Sequence, residues 1–181
     1  MRILSYLALA ASCAVAGCGG GGGGGGTTPT VPLGTFNATT DRTTAAGAFS
    51  ANVSGASAGG TTVLLYGDER TGPVNAYTSS NRLTVTLYGP VNAGAAYFIA
   101  TSHAAGTAVA TYLETANQSG SYVTTGIWTA TSGTINIEVA NGSHIQGTLT
   151  LTTRNAATGA VIHWTSGEFN VAYETPPPPQ V

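Results

Sequence analysis

The side chains able to do chemistry are few and widely spaced. The histidines are His103, His144 and His163, and no two of them, nor any of them with an acid, stand at the spacing of a metal-binding pair. They read as solvated strand or loop histidines, with His144 beside a hairpin tip, His163 on a polar strand face and His103 in a Gly/Ala loop. Gly55-Ala56-Ser57-Ala58-Gly59 spells G-x-S-x-G. That pattern activates a serine only on a strained turn between a strand and a helix. Here a strand pattern, Thr61–Tyr66, follows, so Ser57 reads as part of a small-residue loop. Asp68-Glu69 is the one adjacent acidic pair. It precedes Arg70-Thr71-Gly72-Pro73 and reads as a turn, too poor in oxygen ligands for a calcium site. Glu114, Glu138 and Glu168 stand alone, and a sequence does not report how far apart two carboxylates end up. No catalytic or metal site and no cofactor is expected. A non-enzymatic protein is the leading reading.

The N-terminus carries a different chemistry. Arg2 is followed by an apolar run, Ile3–Ala16, too short for a span of about 20 residues. Then come Val15-Ala16-Gly17-Cys18, an unbroken glycine run from Gly19 to Gly26, and Thr27-Thr28-Pro29-Thr30. The four residues ending at Cys18 resemble the lipobox of bacterial lipoproteins: an aliphatic residue, two small residues and a cysteine. The resemblance implies cleavage between Gly17 and Cys18, a diacylglycerol thioether on Cys18 and acylation (palmitate or a similar chain) of its new amine. Two or three acyl chains suffice for stable anchoring. The glycines supply a flexible tether; with no lysine in the chain and no helix pattern following, they are not a phosphate-binding loop. By the sorting pattern of such proteins, glycine at position 19 implies the outer membrane. Membrane lipid, reached through Cys18, is therefore the one partner expected; a protein or glycan partner stays open. The expected organisation is a signal peptide over 1–17, a lipidated cysteine and tether over 18–32, a folded domain over 33–174 and a disordered proline-rich tail over 175–181.

The body must be built without many charges. Beyond the signal segment, Arg42, Arg70, Arg82 and Arg154 face seven carboxylates. Scattered arginines and an acidic excess argue against nucleic acid, which needs clustered cations. Hydrophobic residues make up 42% of the 181-residue chain, enough for a packed core. The polar remainder is rich in threonine, which suits a pleated sheet. The only cysteines are Cys13 and Cys18, so no disulfide is expected.

Past residue 33 the apolar residues alternate with period two rather than 3.6. Strands are expected at Ala48–Val53, Thr61–Tyr66, Ala76–Thr78, Arg82–Tyr88, Ala95–Thr101, Ala108–Thr115, Ser121–Thr129, Thr134–Ala140, His144–Thr153, Ala160–Thr165 and Glu168–Tyr173. The last four read as an antiparallel meander. A turn at Ser166-Gly167 would pair Trp164 with Phe169. A loop at Asn155–Thr158 would pair Leu151 with Ile162. A two-residue turn at Asn141-Gly142 would set Val139 against His144 and Ile137 against Gln146, so a three-residue loop, Asn141-Gly142-Ser143, or a bulge is preferred, pairing Val139 with Ile145, Ile137 with Gly147 and Ile135 with Leu149. Ile135, Ile137, Val139, Ile145, Leu149, Leu151, Ile162, Trp164, Phe169, Val171 and Tyr173 then form one buried face. Tyr66, Tyr77, Tyr88, Tyr97, Tyr112, Tyr122 and Trp128 read as core and girdle packing, or as a platform for sugars. The expected fold is all-β: an antiparallel sandwich or flattened up-and-down barrel of about ten short strands, hiding its edges.

Two further signals shape the functional reading. Ser132-Gly133-Thr134-Ile135, Gly147-Thr148-Leu149, Asn155 with Thr158-Gly159, and Ser166-Gly167-Glu168-Phe169-Asn170-Val171 are similar to the C-terminal half of small all-β lipoprotein domains. That resemblance implies a fold and carries no activity. Together with the lipobox, it makes a membrane-anchored envelope domain that binds or builds the leading expectation. A lipocalin-like carrier of a small apolar ligand and an envelope hydrolase are the alternatives.

Overall fold

The computed structural model describes residues 31–42, 47–73 and 76–174. Gly17, Cys18, the tether as far as Thr30 and the proline-rich tail lie outside the described residues. Those described form ten strands and no α-helix: β1 (Thr35–Thr40), β2 (Ala48–Ser50), β3 (Val53–Gly59), β4 (Thr62–Thr71), β5 (Ser79–Tyr88), β6 (Ala96–Ile99), β7 (Thr107–Gln118), β8 (Ser121–Ala140), β9 (His144–Asn155) and β10 (Val161–Ala172). They make one sheet in the order β2-β1-β10-β9-β8-β6-β7-β5-β4-β3, antiparallel except where β6 meets β7.

The two margins of this sheet are β2 and β3, and only Ala51 and Asn52 separate them in the chain. From Ser50 to Val53 is three Cα steps, at most about 11 Å. A ten-stranded sheet whose first and last strands lie that close has to curl round on itself. Hydrogen bonds mark the seam: Asn52 N donates to Asp68 O, Ser54 Oγ to Gly34 O at 2.8 Å, and Glu174 N to Ala56 O at 2.7 Å, beside an isolated bridge between Ala56 and Tyr173. The sheet is thus a flattened barrel whose ladder is nearly closed, which leaves little edge for foreign strands.

Alternation decides what fills it. Leu83, Val85 and Leu87 of β5, Ala108, Ala110 and Tyr112 of β7, Ile135 and Ile137 of β8, and Leu149 and Leu151 of β9 all point inward and are buried. An aromatic cluster occupies the middle. Trp164 packs on Phe49 and Tyr112 at centroid distances of 5.4 and 4.9 Å, and Phe36 packs on Phe49 and Phe169 at 6.2 and 5.8 Å. The indole N–H of Trp164 donates to Thr153 Oγ1 at 3.0 Å, so the largest core side chain has no unpaired polar atom. The outward positions are mainly polar, as in Thr84 and Thr86 of β5 and Thr148, Thr150, Thr152 and Arg154 of β9. A transmembrane barrel needs the reverse, an apolar belt outside. No helix among the described residues is long and apolar enough to cross a membrane.

Several strands run longer than their sequence patterns suggest, whereas the expected Ala48–Val53 breaks after Ser50, with Val53 opening β3, and Ala95–Thr101 narrows to Ala96–Ile99. Ser121–Thr129 and Thr134–Ala140 belong to a single 20-residue strand, which pairs with β7 over its first half and with β6 over its second. It bends at a bulge between Ala130 and Ser132, next to Gly133 at φ +143°. The expected turn at Ser166-Gly167 does not form. β10 runs straight through it with a bulge, Ser166 taking φ +48°, so the left-handed residue adds twist without reversing the chain. The fourth place in the meander goes to β1, an element that the alternation did not reveal. Trp164 pairs with Leu151 and Ile162 with Thr153, two residues from the expected register, which keeps every side chain on its expected face. The preferred bulge near Asn141 is present, with Ile137 opposite Gly147 and Ile135 opposite Leu149, but the register shifts between Ile137 and Val139, so Val139 opposes Gln146 and not the expected Ile145, which pairs with Ala140. Ala76–Thr78 forms a bend and not a strand. Of the expected buried face, Val139 and Tyr173 are half-buried and the others buried.

Candidate functional site

Polar chemistry gathers in three places, each set by strand register. The first is on the outer surface. Antiparallel pairing lines up Ser132, Thr152 and His163 across β8, β9 and β10. Asp41, just past β1, accepts a hydrogen bond from the His163 backbone N–H at 2.7 Å. Thr152 Oγ1 lies 3.3 Å from His163 Nδ1, and Asp41 Oδ2 lies 3.9 Å from His163 Nε2. Hydroxyl, imidazole and carboxylate are in a row, yet the carboxylate is beyond hydrogen-bond reach of the ring. The His163 and Asp41 side chains are 57% and 52% exposed. Catalytic relays are held by hydrogen bonds on both ring nitrogens in a partly dry site, and this row has neither feature. His144 sits at the β8–β9 turn, where Asn141 Oδ1 accepts from the backbone N–H groups of Ser143 and His144. His103 stacks on Tyr88 at 4.5 Å. The histidines therefore occupy the surroundings expected of them.

The second place corrects the reading of Asp68-Glu69. They lie within β4 rather than in a turn, so their side chains point to opposite sides of the sheet. They cannot act as one chelating pair. Asp68 faces outward but is 1% exposed, covered by Arg70 and Arg82, each 2.8 Å from Oδ2, while Ser80 Oγ donates to Oδ1. Burial by itself pushes the Asp68 carboxyl up; the hydrogen bonds from Ser80, Arg82 and Arg70 outweigh it and hold the group below its ordinary value. Around this clamp, Arg82 lies over the Tyr66 ring at 5.7 Å and Arg70 over Tyr77 at 5.3 Å. Tyr66 donates its hydroxyl proton to Glu174, and burial with that bond raises the phenol to about 12.

The third place is inside, at one end of the barrel. Glu69 of β4, Asn81 of β5, Glu114 of β7 and Gly126 of β8 share one rung of the ladder. Arg42 enters this rung from the segment after β1, with its side chain 1% exposed. Its guanidinium donates to Tyr112 Oη at 2.7 Å, to Glu69 Oε2 at 2.9 Å and to the Ala48 carbonyl. Asn81 Nδ2 donates to the same Glu69 oxygen at 2.9 Å, and Tyr112 Oη to Glu114 Oε1 at 3.1 Å. Burial raises the Tyr112 phenol well above its usual value, so it stays a donor. The Arg42 guanidinium lies 5.7 and 5.9 Å from the Phe49 and Tyr112 ring centroids. A buried cation is tolerated only with such partners. Beside this layer a recess of about 200 Å³ opens, bounded by Asp41, Arg42, Glu114, Trp128, Val161 and Ile162.

Ser57 belongs to none of these places. It pairs with Leu64 in the middle of the β3–β4 ladder, so the strand-to-helix turn that would activate it is absent there. Among the described residues, no three His, Cys, Asp or Glu side chains converge as a metal site would require. Arg42 was missed in the sequence because nothing local marks it. Its partners Glu69, Asn81 and Tyr112 are distant in the chain, and only the pairing of β4, β5 and β7 brings them together. Comparison of the chain with protein-family models, curated proteins and solved structures gives no match.

Proposed function

We propose that this protein is a lipid-anchored domain of the bacterial cell envelope that works by binding or as a structural element, and not by catalysis. The reading is carried by one observation: Val15-Ala16-Gly17-Cys18, followed at once by the glycine run Gly19–Gly26, stands directly ahead of a folded β domain. An anchoring cysteine needs a flexible leash if a rigid body is to clear the lipid headgroups. The domain's polar outer face suits an aqueous compartment and supplies no lipid-facing belt, which leaves membrane attachment to Cys18. Membrane lipid is its proposed partner, and the outer membrane its proposed site.

The site geometry supports binding over hydrolysis. The one row that combines a hydroxyl, an imidazole and a carboxylate is open to solvent and loosely joined. The carrier alternative meets an interior already filled by Trp164, Phe36, Phe49, Tyr112 and Phe169, so an apolar guest would have to displace core side chains.

Replacement of Cys18 by Ala tests the anchor. With Cys18 present, the chain should sediment with membranes, partition into detergent and carry an acylated N-terminal cysteine in its mass spectrum. The C18A variant should be soluble after export. An unmodified thiol at residue 18, or a mature N-terminus elsewhere, overturns the proposal.

A further inference from the structure

The ladder closes round the barrel but not along the whole of β8. β7 pairs with β8 from Ser121 to Thr129, whereas β9 joins only at Trp128, opposite Asn155. Residues 121–127 are therefore paired on one side. Among the described residues, nothing outside β7 bonds their remaining N–H and C=O groups. The turn after β9 keeps this edge clear. Asn155 Oδ1 accepts from the Ala157 and Thr158 N–H groups, and Asn155 N donates to Ala160 O, so the chain folds back at Asn155 instead of following β8. A groove of about 460 Å³ remains between residues 124–127 and 155–158. Tyr77 stacks on the Tyr122 ring at 4.4 Å, which holds the overhanging strand in place.

Open edges normally carry a charge or a proline that discourages pairing. Here the sequence from Thr115 to Ile137 contains no Asp, Glu, Lys, Arg, His or Pro. On the edge itself Tyr122, Val123 and Ile127 are 45%, 41% and 54% exposed. These are strand-forming residues that stand ready for a further strand. The chain's own ends suit the place poorly. Residues 176–179 are all proline and offer no N–H to a ladder. Residues 19–26 are all glycine, which brings no side chain and loses the most freedom on ordering. A charged peptide would find no opposite charge. A second copy does fit. An antiparallel strand of the same sequence, turned about an axis at Thr124, sets Tyr122 against Gly126, Val123 against Thr125 and Ser121 against Ile127. Each bulky residue then meets a smaller one. The bulge at Thr125 against β7 recurs in both copies, so the two edges carry the same twist.

We propose that residues 121–127 of β8 pair antiparallel with the same residues of a second copy, so that two barrels form a symmetric dimer through a shared ladder. This goes beyond the reading of the chain as an anchored envelope domain and does not depend on it. Pairing through one short edge belongs at the weak end of protein interfaces. Tethering both copies to one membrane would raise their effective concentration and favour it.

The test is sedimentation equilibrium of the full-length chain in density-matched detergent, with micelles in excess over protein. The parent should dimerise reversibly with a dissociation constant of about 100 μM or tighter. Thr124→Lys and Thr124→Glu each set like charges face to face at the axis and should each weaken association about fivefold or more. An equal mixture of the two variants should associate at least as well as the parent, a recovery that damage to the fold would not give. Thr150→Lys, exposed on β9 away from the edge, should behave like the parent. The thermal transition of each variant is measured alongside. A parent that stays monomeric up to about 500 μM overturns the proposal. So do folded T124K and T124E chains that each associate like the parent, or a mixture of them that recovers nothing. A monomeric parent whose β8 amides are protected from exchange only by an added uncharged peptide gives the edge to a foreign strand, and overturns self-pairing too. Cys18→Ala fractionation reads the anchor separately, so either idea can fail without the other.

Discussion

At the scale of single residues, the protein places its few charges where they cannot be spared. Arg42 joins Glu69, Tyr112 and the Ala48 carbonyl inside a low-charge barrel. Removing it takes the balancing charge from Glu69, leaving that carboxylate only the Asn81 amide and the Ser50 N–H, and opens a gap beside Tyr112. Arg42→Ala should therefore lower unfolding stability by about 3–5 kcal/mol in urea titration, and Arg42→Lys should recover only part of it, because an ammonium lacks the planar fork that reaches several acceptors. Asp68 offers a pH test. Its folded carboxyl is held below the ordinary value of 3.8, so it contributes stability that is complete above about pH 4 and is lost as pH falls through the lowered folded value. Asp68→Asn should cost about 2–3 kcal/mol at pH 7, and its stability should fall less steeply than the parent's below pH 4, measured by denaturation across pH. Neither role was legible in the sequence, where Arg42 and Asp68 look like solvated loop charges. Adjacent carboxylates suggest cooperation until a strand sends them to opposite faces.

At the scale of elements, period-two alternation was legible and chain reversal was not. The inward set of β9 and β10, Ile145, Leu149, Leu151, Ile162, Trp164, Phe169 and Val171, follows from alternation once a break at Ser166-Gly167 switches its parity. Ser166-Gly167 looks like a hairpin turn, but a bulge uses the same residue types and the same positive φ. Only the neighbours, β9 on one side and β1 on the other, decide between them. β1 escaped notice because Thr35–Thr40 carries a single large apolar residue, Phe36, and its burial depends on partners at the far end of the chain. Gly133 is where the bend of β8 is most exacting. Its φ is +143°, and a Cβ there would meet the Thr150 carbonyl oxygen and lie 2.9 Å from Leu151 Cα. Gly133→Ala should cost about 3 kcal/mol, combining backbone strain with overpacking, read from the urea midpoint. Hydrogen exchange should quicken first where β8 meets β9.

At the scale of the whole molecule, the seam holds the curl. Glu174 N bonds Ala56 O, Tyr173 bridges Ala56, and the Glu174 carboxylate accepts a hydrogen bond from the Tyr66 hydroxyl. A chain ending at Ala172 should lose about 2–3 kcal/mol from these bonds. Mass-spectrometric hydrogen exchange should show β3 amides near Ala56 exposed ahead of the β5 core around Leu83–Val85. Equal exchange at both places would mean that the seam bears no separate share. An all-β sandwich or flattened barrel was legible as a class, because about ten strands of this composition must hide their edges, but the choice between the two was not. The seam was not, because it depends on residues that look like the start of a tail.

The joining of both margins through Ala51 and Asn52 also dictates an order of events. Thr35, among the first residues of the body to leave a ribosome or a translocation channel, pairs with Asn170, among the last. β1 and β2 have no sheet to join until β10 arrives. Most of the ladder can be assembled by then, but the final cylinder cannot. A chain threaded outward from its N-terminus thus keeps β1 and β2 unplaced for nearly the whole passage and closes its sheet only at the end, at the slow pace that distant pairings impose.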